Sequence, residues 1–291
     1  MPRRIFMTGA TGAVGRNVLP TLLEAGHHVR VLVHKSRPNV SDVEIVEGDL
    51  TQFDAAWLHD VDAVLHFAAV LNRNDDPALF HDVNVEGTRR LVQAMQARDR
   101  PPLFINISSV AVYKIRTDGE PWRTGDPCEP HTPYGHSKLA QERVAQDYER
   151  TLSVRLPLVV GAGDRTSGMF AKLARLRIFP VTNRRLSAID ARDVARLMEH
   201  LLRHEPPAGS VYTVSDGVAY RWIDLARHFA RREGRRVFSP TIPAIALHPA
   251  AFRVLGRPNG ATHLRYDWHC EPNFPEGFAP KHRAYPLAFD A

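Results

Sequence analysis

Short apolar segments alternating with amphipathic stretches from residue 5 to residue 214, a glycine triplet at the first strand-to-helix turn, and prolines crowded towards the C-terminus predict the fold class. That class is α/β: a Rossmann-like doubly wound parallel sheet with a small C-terminal lobe. The chain has 291 residues, 44% apolar and 24% charged, enough to bury a sizeable core. This balance excludes disorder, a collagen-like repeat and a minimal disulfide scaffold.

Taken in order, Ile5-Phe6-Met7 reads as a strand leading into the glycine-rich turn. A helix from Val14 to Ala25 follows, its apolar face built by Val14, Val18, Leu19, Leu22 and Leu23, and it stops at Gly26. Residues 28–33, 43–46 and 62–67 read as three further strands, 79–97 as one long amphipathic helix, and 103–107 as a buried-type strand. Then come a helix over 134–150 and a strand over 153–156. Strand and helix alternating in this way imply a parallel sheet covered on both faces. Beyond Gly161 the pattern loosens, with helices at 169–176, 193–203 and 222–232 and extended segments at 186–189 and 211–214. Pro240, Pro243, Pro249, Pro258, Pro272, Pro275, Pro280 and Pro286 withhold sheet donors and suit loops or a lid. The expected division is a dinucleotide-binding core at 1–160 plus about 185–215, and a substrate lobe at 161–184 plus 216–291.

Cys128 and Cys270 are too few for a disulfide framework and sit in no metal-ligand spacing, so two ordinary thiols, no metal and a reducing cytoplasm are expected. The formal charge of +6 favours small anionic ligands only weakly. Arg231-Arg232 and Arg235-Arg236 flank a helix end and read as a solvated cationic face. No nucleic-acid module accompanies them, and no nucleic-acid partner is expected. The apolar start is too short for a signal peptide, and the run 63–71 falls well short of the roughly 20 residues a membrane-spanning helix needs. A soluble protein is expected.

The first turn, Thr8-Gly9-Ala10-Thr11-Gly12-Ala13-Val14-Gly15, spaces its glycines so that the backbone turns tightly, a pyrophosphate approaches closely and the helix packs against the sheet. Gly9, Thr11, Gly12, Ala13, Val14 and Gly15 are therefore candidate dinucleotide contacts. After the second strand, His34, Lys35 and Arg37 stand where an NAD-selective chain carries a carboxylate for the ribose, so NADP is expected over NAD. Asp49 reads either as an acceptor for the adenine amino group, with Leu50 packing near the ring, or as a plain turn residue.

A second constellation joins Ser108-Ser109, ending a strand, with Tyr134-Gly135-His136-Ser137-Lys138. Tyr134 and Lys138, four apart, share a helix face, and the ammonium is expected to lower the pKa of the phenol while also reaching a ribose hydroxyl, so both are candidate cofactor contacts as well. Ser109 would orient a carbonyl or carbinol oxygen.

On these motifs, together with Gly48-Asp49-Leu50, His66-Phe67-Ala68-Ala69, Asn84-Val85-x-Gly87-Thr88, Val112-Tyr113 and Asp193-Val194-Ala195, the chain resembles an extended short-chain dehydrogenase/reductase of the NAD-dependent epimerase/dehydratase family. The resemblance spans roughly residues 4–214. It implies Ser109, Tyr134 and Lys138 as the catalytic group. Phe67, Ala68, Ala69, Asn84, Ser108 and Pro157 would lie along the cofactor, and Arg73, His81, Val110 and Leu158 would border the substrate. It also implies a homodimer through the helices at 79–97 and 134–150. Leu158 departs from the nucleotide-sugar members, which often place Asn there, and Val110-Ala111 replaces the Asp-Glu typical of dehydratases. The expected function is hydride transfer between nicotinamide and a carbonyl or carbinol carbon of a small molecule. The alternatives are a nucleotide-sugar epimerase and a non-enzymatic NADP-binding sensor. His66 and Trp268 read as packed side chains, and Asp193 as a cap or a tie between lobe and core.

Overall fold

The computed structural model describes residues 1–71, 76–176, 182–234, 236 and 265–286. Its main sheet has seven strands: β1 (Arg4–Thr8), β2 (His28–Val33), β3 (Glu44–Glu47), β4 (Ala63–His66), β5 (Leu103–Ser109), β6 (Thr151–Leu156) and β9 (Val211–Thr213). Their spatial order is β3-β2-β1-β4-β5-β6-β9, and every pairing is parallel. The order reverses beside β1, so the carboxyl ends of β1 and β4 border the crevice where doubly wound sheets take ligands.

Side chains alternate across the sheet. Ile5, Met7, Leu65, Ile105 and Ile107 face helices α1 (Gly15–Glu24) and α6 (Ala191–His204), meeting Val18, Leu22, Val194 and Met198. Phe6, Val64 and Phe104 face α3 (Gly87–Gln96) and α4 (Pro133–Gln146), meeting Leu91, Met95 and Val144. The inner strands β1, β4, β5 and β6 are buried almost throughout, which is why they read as near-continuous apolar runs, while the edge strand β3 is half-exposed.

The lobe has its own core of Trp122, Phe170, Tyr220, Trp222, Phe229, Trp268 and Tyr285, held by α5 (Arg165–Arg175) and α7 (Trp222–Arg232). A three-stranded sheet, β10-β8-β7, runs beneath it, formed by β7 (Leu158–Val160), β8 (Arg185–Asp190) and β10 (Ala219–Arg221). Strands β7 and β10 are additions to the elements expected from the sequence. The buried Asp193 carboxylate accepts the backbone N–H groups of Lys281 and His282 at 2.7–3.0 Å, tying the C-terminal segment to α6 as expected. Both cysteines are free thiols. Among the described residues no helix is long and apolar enough to cross a membrane.

The single helix expected over 79–97 is corrected. It runs as α2 (Pro77–Phe80), a π-helical turn over His81–Glu86, and α3. The cause is Asn84, whose side chain reaches out of the helix: Oδ1 accepts Val70 N–H at 2.7 Å, and Nδ2 donates to Val70 O and to Ser137 Oγ. Thr88 Oγ1 donates back to Asn84 O at 2.7 Å, a local bond that competes with the regular ladder.

Candidate active site

The glycine turn sits at the carboxyl end of β1. Gly9 has φ +72°, and a Cβ there would stand 2.5 Å from Ala68 N, so only glycine lets the turn cross the end of β4. A buried network fixes this crossing. Thr88 spends its one hydroxyl proton on Asn84 O, so at the 2.9 Å contact it must accept from His66 Nε2–H. His66 Nδ1 therefore carries the lone pair and accepts from Thr8 Oγ1 at 2.7 Å, while Thr8 Oγ1 accepts Ala68 N–H at 3.2 Å. Burial, assisted by the nearby Lys138 charge, pushes His66 down to about 3, so it is a neutral packed histidine, as read.

The turn suits an anion. Gly12 and Ala13 are exposed with at most a methyl group, Gly9, Thr11 and Val14 are half-buried, and the first turn of α1 from Gly15 holds no acidic residue. Phe67, Ala68 and Ala69 follow β4 and are half-buried. The buried Ser108 Oγ has no hydrogen-bond partner among the described residues, a hydroxyl left over for a bound group.

At the end of β2, His34, Lys35 and Arg37 are all exposed. The Arg37 guanidinium pairs with Glu47, and His34 Nε2 lies 3.9 Å from Asp49 Oδ2. Asp49 Oδ1 caps the following turn, accepting from Thr51 N at 2.7 Å and Thr51 Oγ1 at 2.5 Å, so the plain turn role is filled while Oδ2 lies outside those bonds. Leu50 is buried against Gly87.

Ser109 ends β5 and Tyr134 opens α4. Thr132 caps that helix by accepting Gly135 N–H at 3.0 Å, and Pro133 fits its first position. A Cβ on Gly135 would lie 2.4 Å from Ala111 O, so a glycine is what allows the helix start to press onto the turn carrying Ser109. Ser109 Oγ accepts Ala111 N–H at 3.1 Å, and its hydroxyl neighbours the Tyr134 phenol. Phe80 packs edge-on against the Tyr134 ring at 6.2 Å.

The expected acidification of the phenol is not found. Burial pushes Tyr134 up to about 12, and the neighbouring Ser109 hydroxyl works against it. Lys138 is itself buried, donating to Ile107 O at 2.6 Å and to Gln141 Oε1, and burial pushes it down to about 7 against the pull of Glu142.

Pro157, half-buried, separates β6 from β7, and Leu158 packs against the lobe core. Val110 is buried in that same core and does not face open space. His81 is exposed, 3.6 Å from Glu86. Arg73, Arg235 and the prolines from Pro240 to Pro258 lie outside the described residues. Trp268 is buried edge-on against Trp122, a packed side chain as read.

Several residues around the site escaped the sequence reading. Asn17 latches the glycine turn to the lobe, donating to Ala13 O and Ala162 O and accepting Ala162 N–H. Arg155 on β6 and Glu142 on α4 form a buried ion pair at 2.5 Å, and Arg155 Nη1 also donates to Tyr113 Oη. Asn106 and Gln141 meet behind Lys138. A polar residue in the middle of an apolar strand, as Asn106 is, was the available signal, because a buried amide demands a partner.

The sequence and the architecture are similar to those of known proteins. A model of the NAD dependent epimerase/dehydratase family matches residues 5–215. The chain is 30% identical to a UDP-glucose 4-epimerase of Vibrio cholerae, over 79% of this chain and 76% of that protein. It is 27% identical to a 3 beta-hydroxysteroid dehydrogenase/Delta 5-->4-isomerase of Mycobacterium tuberculosis, over 80% of this chain and 70% of that one. The Bordetella bronchiseptica enzyme WbmG, solved in complex with NAD and UDP, shares the fold with a TM-score of 0.78 at 22% identity, covering 97% of this chain and 91% of that one. With the glycine turn, the strand-end serines and the Tyr134–Lys138 helix all inside the matched span, the chain belongs to the NAD dependent epimerase/dehydratase family.

Proposed function

We propose that the protein is an NAD(P)-dependent oxidoreductase that interconverts a carbonyl and a carbinol on a small molecule, with Tyr134 as the proton donor and acceptor. The observation that carries this reading is that the Gly135–Ala111 contact brings the start of α4, with Tyr134 and the buried Lys138, onto the strand end carrying Ser109, at the same end of the sheet as the glycine turn. When bound, the cofactor supplies or takes up a hydride at the reacting carbon. The rest is proton handling by the chain. Ser109, whose Oγ accepts Ala111 N–H, would donate its hydroxyl proton to the substrate oxygen. Tyr134, holding its own proton at neutral pH, delivers it to that oxygen during reduction, and the reverse reaction returns it.

Residues 1–160 with 185–215 would hold the dinucleotide, and 161–184 with 216–291 the substrate. NADP is preferred through His34, Lys35 and Arg37. The Arg37–Glu47 pair is exposed and so weak enough for a 2′-phosphate to displace the carboxylate. Ser108 and the segment Phe67–Ala69 would line the cofactor. The functional protein would be a homodimer in the cytoplasm.

The test is thermal shift with NADP and NAD, followed by NADPH oxidation against a panel of ketones. A larger shift with NADP and turnover of a ketone support the reading. A larger shift with NAD overturns the cofactor preference, and sugar-nucleotide epimerisation with no net cofactor change overturns the reaction. That second reading is supported by the identity to the Vibrio cholerae epimerase.

A further inference from the structure

Lys138 is held by an arm of buried amides. Gln141, one turn further along α4, is 0% exposed, as is Asn106 on β5. Asn106 Nδ2 donates to Ser153 Oγ at 3.4 Å, turning Asn106 Oδ1 towards the helix, where it accepts Gln141 Nε2–H at 2.6 Å. That bond commits the amide nitrogen of Gln141, so its oxygen faces Lys138 Nζ and accepts from it. Ile107 O accepts a second Lys138 N–H at 2.6 Å. An ammonium has three donors, and two of them are thus fixed from below. One position on Nζ is left, on the side away from both acceptors.

We propose that Gln141, oriented by Asn106, is a positioning residue for Lys138: it fixes the ammonium so that a single N–H is presented to the reacting groups. The proposal rests on the reading of Lys138 as a member of the catalytic group. A glutamine that merely filled space would need neither the hydrogen bond from Lys138 nor the anchoring bond from β5. An amide acceptor suits this position because it holds the ammonium without adding a charge. Glu142 on the same helix already supplies a carboxylate, and that carboxylate is bound by Arg155. His66 on β4, which is neutral, is a further titratable neighbour of Lys138, and Tyr134 lies one turn earlier on α4.

The test is an ε-15N NMR titration of Lys138 in the cofactor-free protein, alongside steady-state kinetics. Gln141→Met keeps the volume and removes the acceptor. It should lower the Lys138 midpoint by about one pH unit, the size of one hydrogen bond to a charged group. It should also cut kcat about 10-fold or more, with the cofactor KM within about threefold, as expected when orientation is lost. Gln141→Glu restores an acceptor, so its midpoint should rise above that of the wild type and part of the lost kcat should return. Midpoint and kcat both unchanged in Gln141→Met overturn the proposal. If that variant does not fold, Asn106→Leu serves in its place: the anchored amide is freed, and a smaller downward shift is expected, whereas an unmoved midpoint overturns the proposal. Failure of the underlying reading is separable, because Lys138→Met with full turnover would remove Lys138 from the reaction without altering the midpoint shift in Gln141→Met.

Discussion

Gly135 and Ala111 stand closer than any side chain would permit, with the Cβ position of Gly135 only 2.4 Å from the Ala111 carbonyl oxygen. This contact sets the distance between the start of α4 and the turn after β5, and hence between Tyr134 and Ser109. Gly135→Ala must push the two apart. We expect a loss of about 1–3 kcal/mol in stability and of about 10²-fold in turnover, because an ångström of misplacement weighs heavily on proton transfer. Thermal unfolding and kcat measured on one preparation check this. An unchanged kcat with a lowered Tm would show that the contact serves packing alone.

The Glu142–Arg155 pair lies behind the same helix, with side chains 1% and 7% exposed. Removing one partner strands a buried charge, so Glu142→Ala should cost about 3–5 kcal/mol by urea denaturation. Adding Arg155→Met should recover part of this loss by removing the stranded charge. A double variant less stable than Glu142→Ala would contradict the account.

His66 makes folding pH-dependent with a definite sign. Its folded pKa is pushed from 6.5 down to about 3, chiefly by burial and then by the Lys138 charge. Its contribution is therefore complete above pH 6.5 and is lost as pH falls, since the unfolded chain takes up a proton that the folded chain refuses. The slope approaches about 1.4 kcal/mol per pH unit between the two values. His66→Gln removes one such proton, so its stability should fall less steeply between pH 6 and 4. Parallel slopes for the two proteins would contradict the neutral, locked imidazole.

What the sequence reveals and what it hides divide along physical lines. Parallel strands buried on both faces announce themselves as apolar runs, and α1, α6 and α7 follow from apolar spacing. Leu79 to Ala97 also shows helical spacing, yet the segment contains a π turn, because the insertion is driven by the reach of Asn84 to Val70 and Ser137, contacts that no local pattern contains. The Ser109, Tyr134 and Lys138 positions are legible because their spacing is local to one strand end and one helix. Gln141 with Asn106, and Arg155 with Glu142, are pairings across elements and emerge only on folding. The phenol shows the same limit. Spacing placed an ammonium one turn away, but in the fold that ammonium points to Ile107 and Gln141, and burial governs Tyr134 instead.

The central claim is that the Tyr134 hydroxyl carries the proton. The most direct measurement is single-turnover NADPH oxidation by Tyr134→Phe with a ketone the native protein reduces, paired with cofactor affinity by fluorescence titration. We expect the rate to fall by about 10²–10⁴-fold with affinity within about twofold, the signature of a lost general acid in an intact site. Reduction at the native rate by the phenylalanine variant would contradict the account.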